Sequence, residues 1–206
     1  MVYKLEGRVV FFATNNVHKF EEACKVLATY GIAVGMLRVK SLEIQSDSLE
    51  DIAKTSVTCA FRKCKLPLIV EDAGLFVEAL RGFPGPYAAY VYKTIGNNGL
   101  LRLMNGVENR KARFESAIAY ISTRSKPSIC FKGEVAGEIT REERKGKDKA
   151  GFGFDPIFQP TGSNKTFAEM TLDEKNTFSH RARALHKFAK WYKSLRQKLF
   201  HHKCSN

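Results

Sequence analysis

The segment that decides the fold is VVFFATNNVHKFEEACKVLATYG, residues 9–31. Its first five residues are apolar, with β-branched and aromatic side chains, which predicts a short buried strand. Four apolar residues then recur at helical spacing: Phe20, Ala23, Cys24 and Leu27. Gly31 provides a stop for that helix. The segment therefore predicts a strand and a helix joined by the polar turn TNNVHK.

The turn TNNVHK has the properties of an anion site. A turn from strand to helix brings backbone N–H groups and the positive end of the helix together. Lys19 adds a full positive charge, while Asn15 and Asn16 tolerate unusual backbone angles and offer amides for hydrogen bonds. The alternative is an ordinary capped helix start with a solvated lysine. The pattern GxxxxGK[ST] is absent, so the turn is not a P-loop.

Strands and helices alternate early in the chain, whereas extended segments dominate the middle. After an extended segment at residues 33–40, Asp47 or Ser48 can cap a helix, and PLIVEDAG predicts a second buried strand. ARFESAIAYIS and SICFKGEVAGEI, joined by STRSKP, predict an antiparallel pair. A long helix with one apolar stripe is predicted from about Ser179. This order predicts a mixed α/β plan without an internal repeat or linker.

The composition is that of an ordinary soluble globular protein, with 44% hydrophobic and 27% charged residues. No apolar run approaches the roughly 18 residues of a membrane helix, and the first residues predict no export signal. The five cysteines form no CxxC pair, which favours free thiols in a reducing cytoplasm over a zinc site or disulfides. The net charge of +13 favours anionic partners, such as nucleotides or nucleic acid, without choosing among them.

The segment VEDAG, residues 70–74, places two neighbouring carboxylates, Glu71 and Asp72, at the C-terminal end of the second predicted strand. Ligands of open α/β sheets bind at such strand ends. Mg²⁺ takes one or two protein carboxylates and completes its shell with water and phosphate oxygens, so this pair is a candidate metal site. Glu43, in a predicted loop, can supply another carboxylate. The alternative is that the acidic pair caps a helix.

The segment GFGFDPIF, residues 151–158, combines glycines with aromatic residues. Such a segment lets the backbone approach a flat ligand while a ring stacks on it. Asp155 can accept hydrogen bonds from a base or hold a neighbouring arginine. The alternative is a hairpin or bulge whose phenylalanines belong to the core.

The segment EKNTFSHRARAL contains the predicted start of the last helix, with Ser179 as its cap. His180 and Arg181 then lie in the first turn, where the helix dipole disfavours a cation, and this mismatch indicates an anionic or base-edge partner. The alternatives are a structural histidine and a region that Lys175 and Arg183 simply make basic. Together, the four segments supply phosphate donors, metal carboxylates, a stacking ring and a base reader, as a nucleoside triphosphate requires.

These segments carry a resemblance to a known family. The chain resembles the inosine triphosphate pyrophosphatases, also called the Ham1-like family, from about Val9 to Leu185. TNNVHK is similar to the family's T-G-N-x-x-K turn, and VEDAGLFVEALRGFPGPYAAY to its acidic strand end followed by G-x-P-G-x-Y. FGFDPIF, FAEMTLDEKN and SHRARAL match its later motifs in the right order.

The resemblance implies a fold and an activity. The fold is α/β, with a long mixed β-sheet and two lobes that flank a deep central cleft. We expect residues 1–206 to form one such domain, with a basic tail at about 199–206. Members are cytosolic homodimers that use Mg²⁺ to hydrolyse ITP, dITP and XTP to the monophosphate and pyrophosphate. Membrane association and nucleic-acid binding are not expected.

The resemblance also implies a role for individual residues. Those that would hold the triphosphate are Thr14, Asn15, Asn16, Val17, His18 and Lys19. Glu43 and Asp72 would bind the metal, with Asp72 also the base for the attacking water, and Ala73 would lie beside the substrate. Those that would enclose the purine and sugar are Phe152, Gly153, Phe154, Asp155, Lys175, His180 and Arg181.

Two positions depart from the family pattern. Asn15 replaces the usual glycine of the first turn, and asparagine is the next best residue for a left-handed backbone angle. Ala73 stands where many members have serine or threonine, so a hydroxyl contact is lost there while a backbone contact can remain.

Two other functions are consistent with parts of the sequence. A Maf-like pyrophosphatase would have a related fold but act on modified pyrimidine nucleotides. A nucleic-acid-binding module would use the net charge of +13 and the basic last helix, with Trp191 and Tyr192 nearby. Binding to a phosphate backbone leaves the carboxylates without a role, which favours the pyrophosphatase.

Overall fold

The structure is a computed structural model that describes residues 9–39, 42, 44–123, 127–146 and 151–203, with side chains up to residue 195. Its strands are β1 (Val9–Ala13), β2 (Ala33–Leu37), β3 (Leu68–Val77), β4 (Pro84–Gly85), β5 (Lys111–Ile121), β6 (Ile129–Ile139) and β7 (Phe158–Pro160). Its α-helices are α1 (Val17–Ala28), α2 (Leu49–Cys64), α3 (Ala88–Thr94), α4 (Gly96–Leu103), α5 (Leu172–Phe178) and α6 (His180–Lys203). Short 3-10 helices lie at Glu78–Leu80, Asp155–Ile157 and Phe167–Glu169.

The seven strands form one mixed sheet with the order β2-β1-β3-β5-β6-β7, and β4 pairs with β3 beside that path. β1 pairs in parallel with β2 and β3, whereas β3, β5, β6 and β7 pair antiparallel in succession. The prediction of an α/β fold with a long mixed sheet is therefore confirmed. The division into two lobes and the basic tail at about 199–206 stay predictions.

Helices cover both faces of the sheet, which explains why its central strands are apolar on both sides. Along β3, Ile69 belongs to a core cluster with α1 and α6, whereas Val70 belongs to a cluster with α2 on the opposite face. A third cluster joins the far end of β3 and β5 to α3, α4 and the segment around Phe167. Successive residues of β3 therefore point alternately toward α6 and toward α2.

One edge of β3 is open in its middle. β1 pairs with Leu68 and Ile69, and β4 pairs with Leu75 and Phe76. Between them, residues 70–74 pair with β5 on one side and with no strand of the described chain on the other. This open segment begins beside the C-terminal end of β1, where the turn TNNVHK leaves the sheet. The fold thereby brings the polar turn close to the backbone groups of residues 70–74 that have no strand partner on this side among the described residues.

The start of α6 lies directly on the backbone of β6. A Cβ atom at Gly133 would collide with the carbonyl of His180 and with the amide of Ala184, so only glycine permits this approach. Beyond its short pairing with β7, this edge of β6 has no strand partner among the described residues, and two side chains of α6 reach it. Arg183 donates to the carbonyl of Glu134 at 2.9 Å, and Lys187 donates to the carbonyl of Lys132 at 2.7 Å.

Sequence reasoning predicted several elements correctly. β1 and α1 form the expected strand–turn–helix unit, and β5 pairs antiparallel with β6. Ser48 is the N-cap of α2, and Ser179 caps α6 by accepting from the amide of Ala182 at 3.1 Å. The turn STRSKP and Glu43 lie partly or wholly outside the described residues. None of the helices in the described chain combines the length and the apolar composition that a membrane span requires.

Two predictions about elements were wrong or incomplete. β3 does not end on Glu71 and Asp72 but continues to Val77, because β5 provides antiparallel partners along its whole length. The acidic pair therefore lies in the middle of a strand, and it does not cap a helix either. Helix α5 was not predicted, although Thr171 and Glu174 form a capping box at its start.

We expect Gly133→Ala to lower the free energy of unfolding by about 1–3 kcal/mol, because the added methyl must push α6 away from β6. Chemical denaturation measures this change. The control is Ala136→Val on the same strand, whose side chain is exposed and whose effect should stay within about 0.5 kcal/mol. Equal stability of Gly133→Ala and the wild type would contradict the close packing described here.

Candidate active site

The turn between β1 and α1 is a capped helix start. Asn16 is the N-cap, and its side-chain oxygen accepts a hydrogen bond from the amide of Lys19 at 3.1 Å. Thr14 Oγ1 accepts from the amide of Asn16 at 3.1 Å. A capped start still offers its other first-turn N–H groups and the positive helix end to an anion, so the two interpretations of the turn are compatible.

The backbone angle expected at Asn15 is not observed. Apart from glycines, only Lys65 and Arg81 have a positive φ among the described residues. The turn therefore does not need a left-handed residue at position 15, and the replacement of the family's glycine by Asn15 introduces no backbone strain there.

Lys19 pairs with the buried acid of β3. Its ammonium lies 2.7 Å from Glu71 Oε2, and its side chain retains 20% exposure while that of Glu71 is fully buried. Glu71 Oε1 also accepts from Ser116 Oγ at 2.9 Å and from Arg181 Nε at 3.0 Å. The lysine of the predicted phosphate turn is thus held at the open segment of β3, and it remains accessible from outside.

The pair of Lys19 and Glu71 is one end of a longer chain of ion pairs. Arg181 bridges Glu71 and Glu22, and Lys175 continues the chain by pairing with Glu22 at 2.8 Å and with Asp155 at 2.7 Å. We call this set the buried ion network; its members are Lys19, Glu71, Arg181, Glu22, Lys175 and Asp155. With three acids and three cations, it is neutral as a whole.

The cations of the network keep its central acids ionised. Burial opposes ionisation of Glu22, but the positive charges of Arg181 and Lys175 outweigh it and lower the pKa of Glu22 to about 2. Burial likewise opposes ionisation of Glu71, yet Arg181 and Lys19 lower its pKa well below the usual range. Burial is the stronger effect at Asp155 and raises the pKa of that carboxyl.

His180 lies beside the network as a neutral imidazole. It is buried, and its ring stacks on Phe114 with centroids 4.8 Å apart and planes at 10°. Burial and the positive charge of Arg181 lower the pKa of His180 well below 6.5. Its Nδ1 has no hydrogen-bond partner among the described residues. A buried ring nitrogen without a partner is costly unless something else bonds to it, as a ligand can.

The glycine-rich segment places one phenylalanine at the network and the other in the core. Lys175 Nζ lies 4.7 Å from the ring centroid of Phe152, and the half-buried ring also stacks on His18. Asp155 accepts from the amide of Phe152 at 2.9 Å and pairs with Lys175. The sequence had suggested an arginine as a possible partner of this carboxylate. Gly153 follows with a φ of 62°. Phe154 is buried in the core, so its backbone alone is available to a ligand.

Asp72 and Glu71 point to opposite faces of the sheet. Because the pairing with β5 is continuous, Asp72 lies on the face of Val70 and α2, whereas Ala73 lies with Glu71 on the face of α6. No group of three or more His, Cys, Asp or Glu residues in the described chain is arranged to hold a metal ion. Glu43, the other predicted ligand, lies outside the described residues.

Comparison with known proteins identifies the family. The Ham1 family model matches residues 10–191. The chain belongs to the Ham1 family. It is 50% identical over 185 residues to a dITP/XTP pyrophosphatase of Methanopyrus kandleri, covering 90% of this chain and 96% of that protein. A dITP/XTP pyrophosphatase of Thermococcus kodakarensis is also 50% identical, over 182 residues that cover 88% of this chain and 96% of the relative.

Solved Ham1 structures share the fold. A HAM1 protein from Coxiella burnetii superposes with a TM-score of 0.78 at 27% identity, covering 90% of this chain and 98% of that one. The nucleoside-triphosphatase, or dITP/XTP pyrophosphatase, of Mycobacterium abscessus has a TM-score of 0.66 at 30% identity, with 87% and 97% covered. The resemblance inferred from the ordered motifs is therefore confirmed.

Sequence reasoning missed several residues that shape this Ham1 site. Glu22 pairs with both Lys175 and Arg181. The sequence feature that could have revealed it is the position of an acid on the buried face of α1, four residues before Val26. Ser116 and Phe114 contact Glu71 and His180 from β5. They carry no local signal, because the pairing of β5 with β3 decides the contact of Ser116 and the packing of α6 on the sheet decides that of Phe114. The predicted residues Lys19, Phe152, Asp155, Lys175, His180 and Arg181 do come together.

A groove of about 420 Å³ lies between the start of α2 and strands β5 and β6. None of the predicted site residues lines it, and Lys132 and Arg113 at its wall already pair with Glu50 and Glu115. Ser116 lines the groove and also donates to Glu71, so the groove adjoins the site assembled by the Ham1 motifs without containing its predicted residues.

We expect Glu22→Gln to lower the free energy of unfolding by about 3 kcal/mol or more at neutral pH, because two buried cations lose their shared acid. The depressed pKa of Glu22 stabilises the fold above its usual value of 4.5, and this contribution is lost as the pH falls toward about 2. Urea denaturation across this pH range should therefore show that the free energy of unfolding falls less steeply with decreasing pH in the variant than in the wild type.

The control for this experiment is Glu21→Gln on the same helix, because the Glu21 side chain is 56% exposed. Its stability should stay within about 0.5 kcal/mol of the wild type. Similar losses in both variants would show that the network has no special role in the stability of the fold.

Proposed function

We propose that this Ham1 protein hydrolyses non-standard purine nucleoside triphosphates, namely ITP, dITP and XTP, to the monophosphate and pyrophosphate, which removes them from the nucleotide pool. The observation that carries the proposal is the junction of the phosphate turn with the base-facing side chains at the open segment of β3. The names of the relatives from Methanopyrus kandleri and Thermococcus kodakarensis support it.

The triphosphate binds at the turn of Thr14 to Lys19. The first-turn amides of α1 and the helix dipole attract its charged oxygens. Lys19 retains 20% exposure while pairing with Glu71, so its ammonium can contact a phosphate without leaving the network entirely. Asp72 lies one residue beyond Glu71 on the other face, so the substrate crosses the open edge of the sheet.

The purine binds on the α6 face. His180 presents a neutral imidazole with an unpartnered Nδ1, and Arg181 has more donors than its two acids use. Inosine and xanthine carry a 6-oxo acceptor where adenine has an amine, so donors from these residues favour the oxo bases and repel adenine. The ring of Phe152 provides the stacking surface.

Asp72 accepts the proton of the attacking water. The water oxygen bonds to the α-phosphorus, the bond to the bridging α–β oxygen breaks, and that oxygen leaves with pyrophosphate. The Asp72 carboxylate also fits a Mg²⁺ site, because this ion takes one or two protein carboxylates and completes its shell with phosphate oxygens and water. When bound, Mg²⁺ supplies charge neutralisation on the phosphates. Glu43 as the second ligand rests on the family resemblance.

We further propose a cytoplasmic homodimer. Free cysteines at positions 24, 59, 64 and 130 are compatible with a reducing compartment. Exposed large apolar side chains lie on and around α3, which is typical of a protein interface; they are Phe83, Tyr87, Tyr90, Tyr92 and Ile95. Sedimentation velocity measures the oligomeric state, and a monomer at high concentration would contradict the dimer.

We expect the purified wild-type protein with Mg²⁺ to release pyrophosphate from ITP, dITP and XTP faster than from ATP, because the donors of the base pocket repel a 6-amino group. A panel of nucleoside triphosphates with product identification measures this preference. If modified or ordinary pyrimidine triphosphates react faster than ITP and XTP, a Maf-like specificity replaces the one proposed here.

Asp72→Asn should lower kcat for ITP at least about 100-fold, because an amide cannot accept the proton of the attacking water. Steady-state kinetics measure the change, and circular dichroism verifies the fold. The matched control is Asp173→Asn, whose side chain is 80% exposed and pairs with the exposed Lys25, so its kcat should be unchanged. Full activity of Asp72→Asn would remove its role as base.

Lys19→Ala should raise KM for ITP about tenfold or more, because a charged contact to the triphosphate is lost. The control is Lys25→Ala on the same helix, where an exposed lysine pairs with Asp173 at 2.7 Å. A normal KM in the Lys19 variant would contradict the phosphate-holding role.

A further inference from the structure

His18 belongs to the turn that resemblance assigns to the triphosphate, but its ring lies elsewhere. The imidazole stacks on Phe152, with centroids 5.2 Å apart and planes at 11°. Its nearest acid, Glu21, is 3.9 Å away, which exceeds hydrogen-bond distance. The stack on Phe152 is therefore the closer-packed contact of this half-exposed side chain, with Glu21 at the outer limit of an ion pair.

Phe152 is also the ring that contacts the buried cations. Lys175 Nζ lies 4.7 Å and Arg181 Cζ lies 5.6 Å from its centroid, so in the free protein the ring rests on the groups that would read a base. A purine that reaches those groups therefore lies against this ring. Asp155 accepts from the amide of Phe152 at 2.9 Å and holds its backbone, so the orientation of the side chain depends on its ring contacts.

The stack links the Phe152 ring to the phosphate turn. His18 precedes Lys19 in the first turn of α1, while Phe152 belongs to the segment before β7, far away in the sequence. The stack is thus a direct contact between the element that holds phosphate and the element that holds the base.

We propose that His18 is a base-positioning residue: its imidazole supports the ring of Phe152 and couples stacking of the purine to occupation of the phosphate turn. This inference rests on the proposed function and assigns His18 to recognition of the base. The flat ring is the property that matters, since aromatic stacking needs a π-face. Another aromatic residue at position 18 should therefore preserve the effect.

The test compares His18→Ala with His18→Phe. We expect His18→Ala to raise KM for ITP about two- to tenfold with little change in kcat, as the loss of one stacking contact predicts. His18→Phe should restore KM. Inhibition by tripolyphosphate, which has no base, should be the same in all three proteins, because the phosphate turn itself is intact. Both variants should fold, since the side chain is 50% exposed.

A double-mutant cycle with Phe152→Ala separates the stack from other effects. If the two rings act together, removing His18 from the Phe152→Ala protein should cost no further affinity for ITP. The control Glu21→Gln, which removes the neighbouring acid, should leave KM unchanged. Unaltered or lower KM in His18→Ala, or an equal loss of tripolyphosphate inhibition, would overturn the inference.

The outcome for the wild type separates this inference from the function on which it rests. If the wild-type protein releases no pyrophosphate from ITP, the proposed function fails and takes the role of His18 with it. If the wild type is active and His18→Ala has the same KM, the role of His18 alone fails.

Discussion

The structure depends on the neutrality of its buried ion network. An isolated buried charge is costly, and here three cations are tolerated because three acids meet them at hydrogen-bond distance. The members come from α1, β3, α5, α6 and the short 3-10 helix before β7, so the network also fixes how those elements meet. Glu22 and Glu71 are central, because each holds two cations.

This arrangement prepares the site before a substrate arrives. Arg181 and Lys175 are already held by acids, so little reorganisation is needed when a base accepts their remaining hydrogen bonds. The same environment keeps His180 neutral, because burial and the charge of Arg181 disfavour its protonation. A neutral imidazole can donate or accept, depending on its tautomer, which suits the reading of a base edge.

Local patterns in the sequence predicted several elements and a set of candidate site residues, whereas long-range pairing decided how those residues meet. The period of apolar residues located β1, α1 and the start of α6, since caps and spacing are local properties. The ordered motifs identified the Ham1 family and, with it, six residues that converge. The continuation of β3 beyond Asp72 could not be predicted from local sequence, because it depends on hydrogen-bond partners in β5, which is distant in the chain. The role of Glu22 required knowing that α1 and α6 pack together.

The two cations on the edge of β6 have a consequence for behaviour at high concentration. An uncovered strand edge is a template to which a foreign strand can add, and long flat edges of this kind promote fibrils. Arg183 and Lys187 already satisfy carbonyls on that border, and their positive charges face any approaching backbone. Addition of a foreign strand to the sheet is thereby disfavoured at this border.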